Sequence, residues 1–142
     1  MRDLHNNIDI KRAISPQAAR TDNTAIVSSI LNRAGFDAAE LLINIGANTD
    51  ANATFAVLIE HGDDPGLSDA AAVPDSMLLG TEALAGFQFD DDNELRKIGY
   101  VGDKWYVRAT VTPSGNDSGN IFVTAIWLLG HPRSAPTANP PA

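Results

Sequence analysis

The chain has 142 residues, no cysteine and a formal net charge of −8, which suggests a single acidic domain without disulfides or thiolate metal sites. The acidic balance argues against nucleic-acid binding, which needs a basic surface along the phosphate path. No apolar run approaches the roughly 20 residues of a membrane helix, and the N-terminus lacks the apolar core of a signal peptide. We therefore expect a protein made in the cytoplasm, with neither a nucleic-acid nor a membrane partner.

The N-terminal segment is more basic than the rest of the chain. Within it, Ile8–Ile14 alternates apolar and polar residues over its first positions, which indicates a short strand or an extended arm, and Ser15-Pro16 ends the pattern. We treat residues 1–20 as an N-terminal arm that precedes one domain at 21–130. The basic residues of this arm are candidates for contact with an acidic partner: Arg2, Lys11, Arg12 and Arg20.

Strand composition recurs along the first half of the domain. Segments 24–31, 40–46 and 54–60 are rich in Ile, Leu and Val and are separated by polar turns. Residues 67–79 carry a weaker pattern, and Pro74 disfavours a long helix there, so we interpret them as a loop with one helical turn.

The second half begins with two short strand candidates, at 86–89 and 95–101. Two longer β-rich runs follow, 104–112 and 120–129, on either side of a polar, Gly-containing loop. Two such runs around turn-forming residues are typical of a hairpin.

The two long runs differ in their alternation. In the first, Trp105, Val107, Ala109 and Val111 share one face, and in the second Trp127 lies on the corresponding face, so both tryptophans are expected to point inward. The second run is also apolar on its other face. Because a strand that is apolar on both faces should be covered on both, this second face either belongs to the core or contacts another subunit. Its residues are Phe122, Ile126 and Leu128.

Short strands at this spacing, with few helical signals, indicate an all-β protein. The expected architecture is an antiparallel β-sandwich of jelly-roll or Greek-key type. Residues 131–142 contain repeated prolines, which cannot continue a hydrogen-bonded ladder, so we expect an extended C-terminal tail. Arg133 in this tail is a further candidate contact residue.

The residue types that carry catalysis are scattered. His5, His61 and His131 fall in the arm, a turn and the tail, and none has a second ligand at a metal-binding spacing. No serine has the sequence context of a nucleophile elbow. With both tryptophans expected inside, core packing is favoured over a sugar-stacking surface. The sequence therefore predicts neither an enzyme nor a cofactor.

One acidic cluster has the spacing of an ion site. Asp90, Asp92 and Glu94 alternate as calcium ligands do, although Leu95 occupies the position of the glycine that an EF-hand loop requires. A looser calcium site, helped by Asp63 and Asp64, and a solvated acidic turn between strands are the two interpretations.

Several short segments resemble the small jelly-roll decoration, or cement, proteins of tailed phages. They are TDNTAIV at 21–27, LLINIG at 41–46, GYVGDKWYVR at 99–108 and LGHPR at 129–133. Proteins of this family are small virion components without catalytic residues.

The resemblance implies a role on the outside of an assembled capsid. The partner would be the major capsid protein, the chain would be a dimer or trimer, and it would be located at the exterior of the virion. Two alternatives remain open: a carbohydrate-binding or calcium-dependent jelly-roll module, and another virion component such as a head–tail junction protein.

Overall fold

The structure, a computed structural model, describes residues 2–141. Strands in chain order are β1 (Ile8–Ile14), β2 (Ile26–Val27), β3 (Leu31–Asn32), β4 (Phe36–Asn48), β5 (Thr54–Gly62), β6 (Ala71–Ala72), β7 (Leu78–Leu79), β8 (Phe87–Gln88), β9 (Leu95–Tyr100), β10 (Tyr106–Ser114) and β11 (Ile121–Pro132). One short helix, α1, spans Glu82–Ala85, and single 3-10 turns lie at His5–Asn7 and Asp75–Met77.

The strands form two antiparallel sheets packed as a sandwich. Sheet A has five strands in the order β1-β11-β4-β9-β7. Sheet B has the order β2-β10-β5-β6, with β3 also paired to β10 and β8 to β5. The prediction of an all-β sandwich of jelly-roll type is confirmed, because within each sheet strands that are distant in sequence pair with each other.

The core lies between the two sheets and is built from alternate residues of the four longest strands. Inward-facing side chains at these positions are buried, as period-two alternation requires. The residues are Leu41, Ile43 and Ile45 from β4, Phe55, Val57 and Ile59 from β5, Val107, Ala109 and Val111 from β10, and Trp127 and Leu129 from β11. Phe55 stacks on Phe87 with 4.7 Å between ring centroids, which joins β8 to the core.

The predicted hairpin between 104–112 and 120–129 is wrong. Strand β10 belongs to sheet B and β11 to sheet A, so residues 115–120 cross from one sheet to the other. The crossing is held by Asn116, whose buried side chain donates to the carbonyls of Arg20 and Asp22 (3.3 and 3.0 Å). A polar loop can connect two strands either as a hairpin within one sheet or as a crossing between two sheets. The long-range hydrogen bonds of Asn116 favour the crossing.

Residues 8–14 of the predicted arm lie in the sheet. Strand β1 pairs with β11 along its length, and Ala13 and Ile14 are buried. Farther along, Arg20 exchanges backbone hydrogen bonds with Ile121 at 2.8 and 2.9 Å. The segment is therefore bound to the domain on both sides of the Ser15-Pro16 break, because its apolar residues complete the edge of the core.

The C-terminal segment also differs from an extended tail. Strand β11 continues to Pro132, and the following residues return to the N-terminal segment. The Thr137 N–H donates to the Asn6 carbonyl at 3.0 Å, and its hydroxyl donates to the carbonyl of Ile8. Proline ends the ladder as expected, but side-chain and single backbone bonds still fix the chain against the domain.

Candidate functional site

The outward surface of sheet A, here called the outer face of sheet A, is apolar over much of its area. Side chains directly opposite each other on paired strands share a face, so the register places Ile126 beside Arg12 and Leu42, and Leu128 beside Ile10 and Glu40. Phe122 is 50% exposed, Ile10 41% and Ile126 37%. The apolar residues of this face are Ile10, Leu42, Leu95, Phe122, Ile126 and Leu128.

The structure brings together part of the predicted contact set on this face. Phe122, Ile126, Leu128 and Arg12 all lie on it, and Leu128 is half-buried. The face therefore corresponds to the second apolar face of the 120–129 run, and within the described residues no other element covers Phe122 or Ile126 enough to bury them.

The remaining predicted contact residues lie elsewhere. Arg2 is exposed in the segment before β1, and Arg20 is half-buried at its bridge to Ile121. Lys11 forms an ion pair with Asp9 at 2.9 Å, and Arg133 is exposed near Asp37 at 3.5 Å. Sequence reasoning grouped these cations by chain position, whereas the fold distributes them around the sandwich.

Sequence reasoning missed the contributions of β1, β4 and β9 to the same face. Each of these strands alternates in sequence, but only the strand order shows that Leu42 lies beside Ile126 and Ile10 beside Leu128. Leu95 extends the same face from β9, where it lies opposite Asn44. The missed charged members are Glu40 and Lys97.

Glu40 is a half-buried carboxylate at the centre of this apolar surface. Partial burial, which disfavours the charged form, raises the pKa of Glu40, and the positive charge of Lys97 opposes this shift. A Cβ added at Gly99 would lie 2.6 Å from Glu40 Oε2, so the glycine leaves room for the carboxylate. The face thus combines apolar area with one central anion and the cations Arg12 and Lys97.

A groove continues the outer face of sheet A at the end where β11 terminates. It has a volume of about 610 Å³ and an apolar lining that includes Leu4, Leu79, Val101, Leu128 and Pro132. Its ionisable lining residues are Asp37 and Glu40 of β4, together with Tyr100 and His131. The groove extends the apolar surface.

Three of the predicted calcium ligands, Asp63, Asp92 and Glu94, already have partners within the protein. The Asp92 carboxylate accepts the Asn48 N–H at 2.9 Å, and Glu94 forms an ion pair with Arg96. Asp90 is exposed, and Asp63 pairs with Lys104 at 2.7 Å. Among residues 2–141 the structure contains no group of three or more ligand side chains that could hold a metal ion. The carboxylates that alternate in sequence do not converge, because Asp92 and Glu94 are held by different partners, Asn48 and Arg96.

A second groove lies between β5 and α1, with a volume of about 450 Å³. Its carboxylates already have structural partners. Glu82 Oε1 accepts the Ile59 N–H at 2.6 Å, and Asp91 pairs with Arg96 at 3.1 Å. These groups hold α1 and the 88–94 loop against the sandwich.

His61 and Tyr100 form a buried contact between two titratable side chains. Their Nδ1 and hydroxyl atoms are 2.8 Å apart, and the Tyr100 hydroxyl also accepts the Lys104 N–H at 3.1 Å. Burial lowers the pKa of His61 and raises the pKa of Tyr100. Arg33 lies over the Tyr100 ring and bonds the carbonyls of Gly102 and Lys104. The network fixes the loop that leads into β10.

This loop ends at Trp105, whose predicted inward orientation is wrong. Trp105 is 47% exposed, whereas Trp127 is 1% exposed. Trp105 precedes the first residue of β10, and its carbonyl accepts the Arg33 N–H at 3.1 Å. It therefore lies at the rim of the sandwich, beyond the area that the opposite sheet covers.

Comparison with known proteins gives structural likenesses only. No protein-family model matches the chain, and no curated protein sequence does. In the stretch from Arg2 to Pro141, no helix combines the length and apolar character needed to cross a membrane.

Three of the solved structures that resemble the fold do so at TM-scores below 0.5. The xylan-binding module CBM15 matches at TM-score 0.43 and 10% identity, over 93% of this chain and 95% of that one. The CBM22-1 and GH10 modules of endo-1,4-β-D-xylanase 10B from Clostridium thermocellum, complexed with xylohexaose, match at 0.40 and 10%, over 95% of this chain and 28% of that one. A family two carbohydrate esterase from Cellvibrio japonicus matches at 0.39 and 9%, over 92% and 36%. Likeness at this level carries no argument about function.

Proposed function

We propose that this chain is a non-catalytic structural protein that binds the outside of a tailed-phage capsid through the outer face of sheet A. The single observation that carries the proposal is that Phe122, Ile126 and Ile10 are all exposed on the outer face of sheet A, the first two along β11 and the third on the paired strand β1. The capsid as partner comes from the sequence resemblance at 21–27, 41–46, 99–108 and 129–133.

The chemistry of this surface supports docking on a protein. Large apolar side chains that stay exposed together mark interaction surfaces more often than isolated ones do. One cross-strand row of this face places the apolar Ile126 and Leu42 between the cations Arg12 and Lys97, and the next row carries the half-buried Glu40. Apolar area bordered by charged side chains is typical of a protein interface. The cations favour a partner whose matching surface is acidic.

The test is the composition and the strength of purified particles. We expect the chain to co-sediment with mature capsids in a fixed ratio to the major capsid protein. Particles assembled without it should release their DNA at a lower temperature, because every copy bound to the shell adds a contact that expansion must break. Absence of the chain from purified particles would reject the proposal.

A second function, carbohydrate binding, is favoured by Trp105. An exposed indole ring offers an apolar surface with a polar edge, on which a sugar ring can stack. Tyr106 follows it, half-buried on the outward side of sheet B between Asn32 and Gly62. The ligand would be a neutral oligosaccharide bound at this rim.

Tryptophan fluorescence tests carbohydrate binding separately from capsid binding. Because Trp127 is buried and Trp105 is half-exposed, a ligand that covers the rim changes the emission of Trp105 alone. Titration with xylohexaose and cellohexaose should shift the emission of the unmodified chain and leave Trp105→Phe unchanged. No shift with either sugar at millimolar concentration would reject carbohydrate binding of this kind while leaving the capsid proposal intact.

A further inference from the structure

We propose that a second copy of this chain pairs with residues 8–12 at the outer edge of β1, so that two sheets A join into one continuous sheet. Strand β1 is the terminal strand of its sheet, and β11 is the strand that pairs with it. At the end of this edge the Ala13 carbonyl accepts the Ser29 N–H at 2.9 Å, which limits the pairing to residues 8–12. The inference concerns the edge of the sheet and is independent of what the outer face binds.

The backbone of β1 presents hydrogen-bonding groups at this edge. The Ile10 N–H donates to the carboxylate of its neighbour Asp9 at 2.8 Å, and the Ile8 carbonyl accepts from the Thr137 hydroxyl. Both groups point away from β11, because Ile8 and Ile10 alternate with the residues that bond to that strand. Side chains of the same chain therefore satisfy groups that a further strand would otherwise engage.

The sequence of β1 is self-complementary when two copies run antiparallel. Pairing centred on Ile10 places the Ile10 residues of the two copies opposite each other. In that position each residue donates its N–H to the carbonyl of the other and accepts a hydrogen bond in return. Each Asp9 then faces Lys11 of the second copy, and each Ile8 faces Arg12. Opposite charges at directly opposed positions stabilise a strand pair, whereas like charges destabilise it. The intrachain pair of Asp9 and Lys11, at 2.9 Å, shows that these two groups are already close at this edge.

Space for the partner lies between the edges of the two sheets. A groove of about 510 Å³ is bounded by Ile10, Lys11 and Arg12 on one side and by residues 29–32 on the other. Pro141 also borders it, so the C-terminal segment and a second β1 compete for the same place. The C-terminal segment thus acts as a cover that the second copy displaces.

Charge reversal gives a test that separates pairing between copies from pairing within one. We expect Asp9→Lys and Lys11→Asp each to weaken self-association, measured by sedimentation equilibrium, by roughly tenfold, because each homodimer then opposes like charges. The equimolar mixture of the two variants should recover the lost affinity as a heterodimer. The intrachain ion pair remains broken in both members of that mixture, so recovery reports the contact between copies.

Disulfide formation provides a second readout that does not depend on altering the buried Asp9. Because the chain contains no cysteine, Ile10→Cys can form only an intermolecular bridge, and opposed residues in an antiparallel pair lie within bridging distance. Leu95→Cys, exposed on β9 of the same sheet, is the matched control. We expect covalent dimer from the first variant and little from the second.

Thr137→Val should increase self-association several-fold, since it removes the hydrogen bond from the Thr137 hydroxyl to the Ile8 carbonyl, one of the bonds that hold the C-terminal segment over β1.

Two results would overturn the proposal. One is a mixture of the charge-reversed variants that associates no more tightly than either alone. The other is equal cross-linking of Ile10→Cys and Leu95→Cys under mild oxidation. Either result would identify Asp9, Lys11 and the C-terminal segment as groups that protect this edge from association.

Discussion

Asp50 connects the 49–53 loop to the crossing between the sheets through four hydrogen bonds, and the neighbouring Thr49 bonds to Asn120 of the same crossing. Its buried carboxylate accepts the N–H groups of Asn52, Asp117 and Ser118 at 2.9, 3.2 and 3.0 Å, and the Ser118 hydroxyl at 3.2 Å. These bonds lower the pKa of Asp50, the Asn52 N–H contributing most. The charged carboxylate is thus the form that the folded chain stabilises.

We predict that Asp50→Asn makes stability less dependent on acid pH. The folded-state pKa of Asp50 lies below the ordinary value of 3.8, so the unfolded chain binds more protons as the pH falls through this range. The stabilisation by Asp50 is therefore complete above pH 3.8 and is lost as the pH falls below it. Urea unfolding at several pH values should show Asp50→Asn less stable at neutral pH and a difference that shrinks as the pH falls below 3.8.

The control for this prediction is Asp90→Asn, which removes a carboxylate from an exposed turn. It should follow the unmodified chain at each pH. A constant difference between Asp50→Asn and the unmodified chain over the whole range would show that the lost stability arises from the shape of the side chain and not from its charge.

The two tryptophans differ in burial and provide a matched pair of sites for a stability measurement. We predict that Trp127→Ala lowers the free energy of unfolding by about 3–5 kcal/mol, because it leaves a cavity in the core. Trp105→Ala should cost less than about 1 kcal/mol, since the ring is half-exposed. Denaturant unfolding measures both. Equal losses would mean that Trp105 packs into the core in solution.

Strand β1 is an edge strand whose C-terminal end contributes to the core. Its last residues, Ala13 and Ile14, are buried, while Ile10 is exposed and the polar Asp9 is buried. The strand shifts register between Arg12 and Ile14. This irregularity lets consecutive residues at the end of the strand turn inward, which strict alternation does not allow.

We predict that Ile14→Ala destabilises the chain by about 2–5 kcal/mol, the range for truncating a buried aliphatic side chain. Ile10→Ala, in the same strand but exposed, is the control and should cost less than about 1 kcal/mol. Denaturant midpoints give the comparison. If Ile14→Ala is as stable as the control, residues 1–20 behave as the detachable arm that the sequence predicts.

The sequence predicted most strands but not how two of them connect. Residues 104–112 and 120–129 are strands, as their β-rich composition indicates, yet they belong to different sheets. Strand composition depends on local preference for a pleated, half-buried backbone. The connection depends on Asn116 and Asp50, which bond across long sequence separations, and no pattern within the loop encodes those partners.

The outer face of sheet A is a property of the whole molecule. Four strands contribute to it, and they are far apart along the chain. The sequence predicted one member strand, with Phe122, Ile126 and Leu128, because that strand alone is apolar on both faces. The neighbours Ile10, Leu42 and Leu95 lie on strands with buried and solvent-facing sides, so only the strand order reveals that they extend the same surface.

We predict that Phe122→Asp and Ile126→Asp reduce particle binding by at least tenfold and change the free energy of unfolding by no more than about 1 kcal/mol. Both side chains are exposed in the isolated chain, so a carboxylate there stays solvated until docking buries it. Leu84→Asp, on the exposed side of α1, is the control for added charge. Binding by co-sedimentation and stability by urea unfolding should be measured on the same preparations.

Two outcomes would contradict this prediction. Loss of the folded state in both variants would place the face in the core. Equal binding by Ile126→Asp and Leu84→Asp would mean that the capsid contacts another surface.

By itself, the sequence determined the class of the fold, most of the strands and the two apolar faces of the 120–129 run. These depend on period-two alternation and turn residues, which act over a few neighbouring positions. The tertiary structure alone decided the strand order, the exposure of Trp105, the place of Ile8–Ile14 in the sheet and the dispersal of the acidic cluster. Those properties depend on which distant segment of the chain packs against a given side of a strand, and local sequence patterns do not specify that segment.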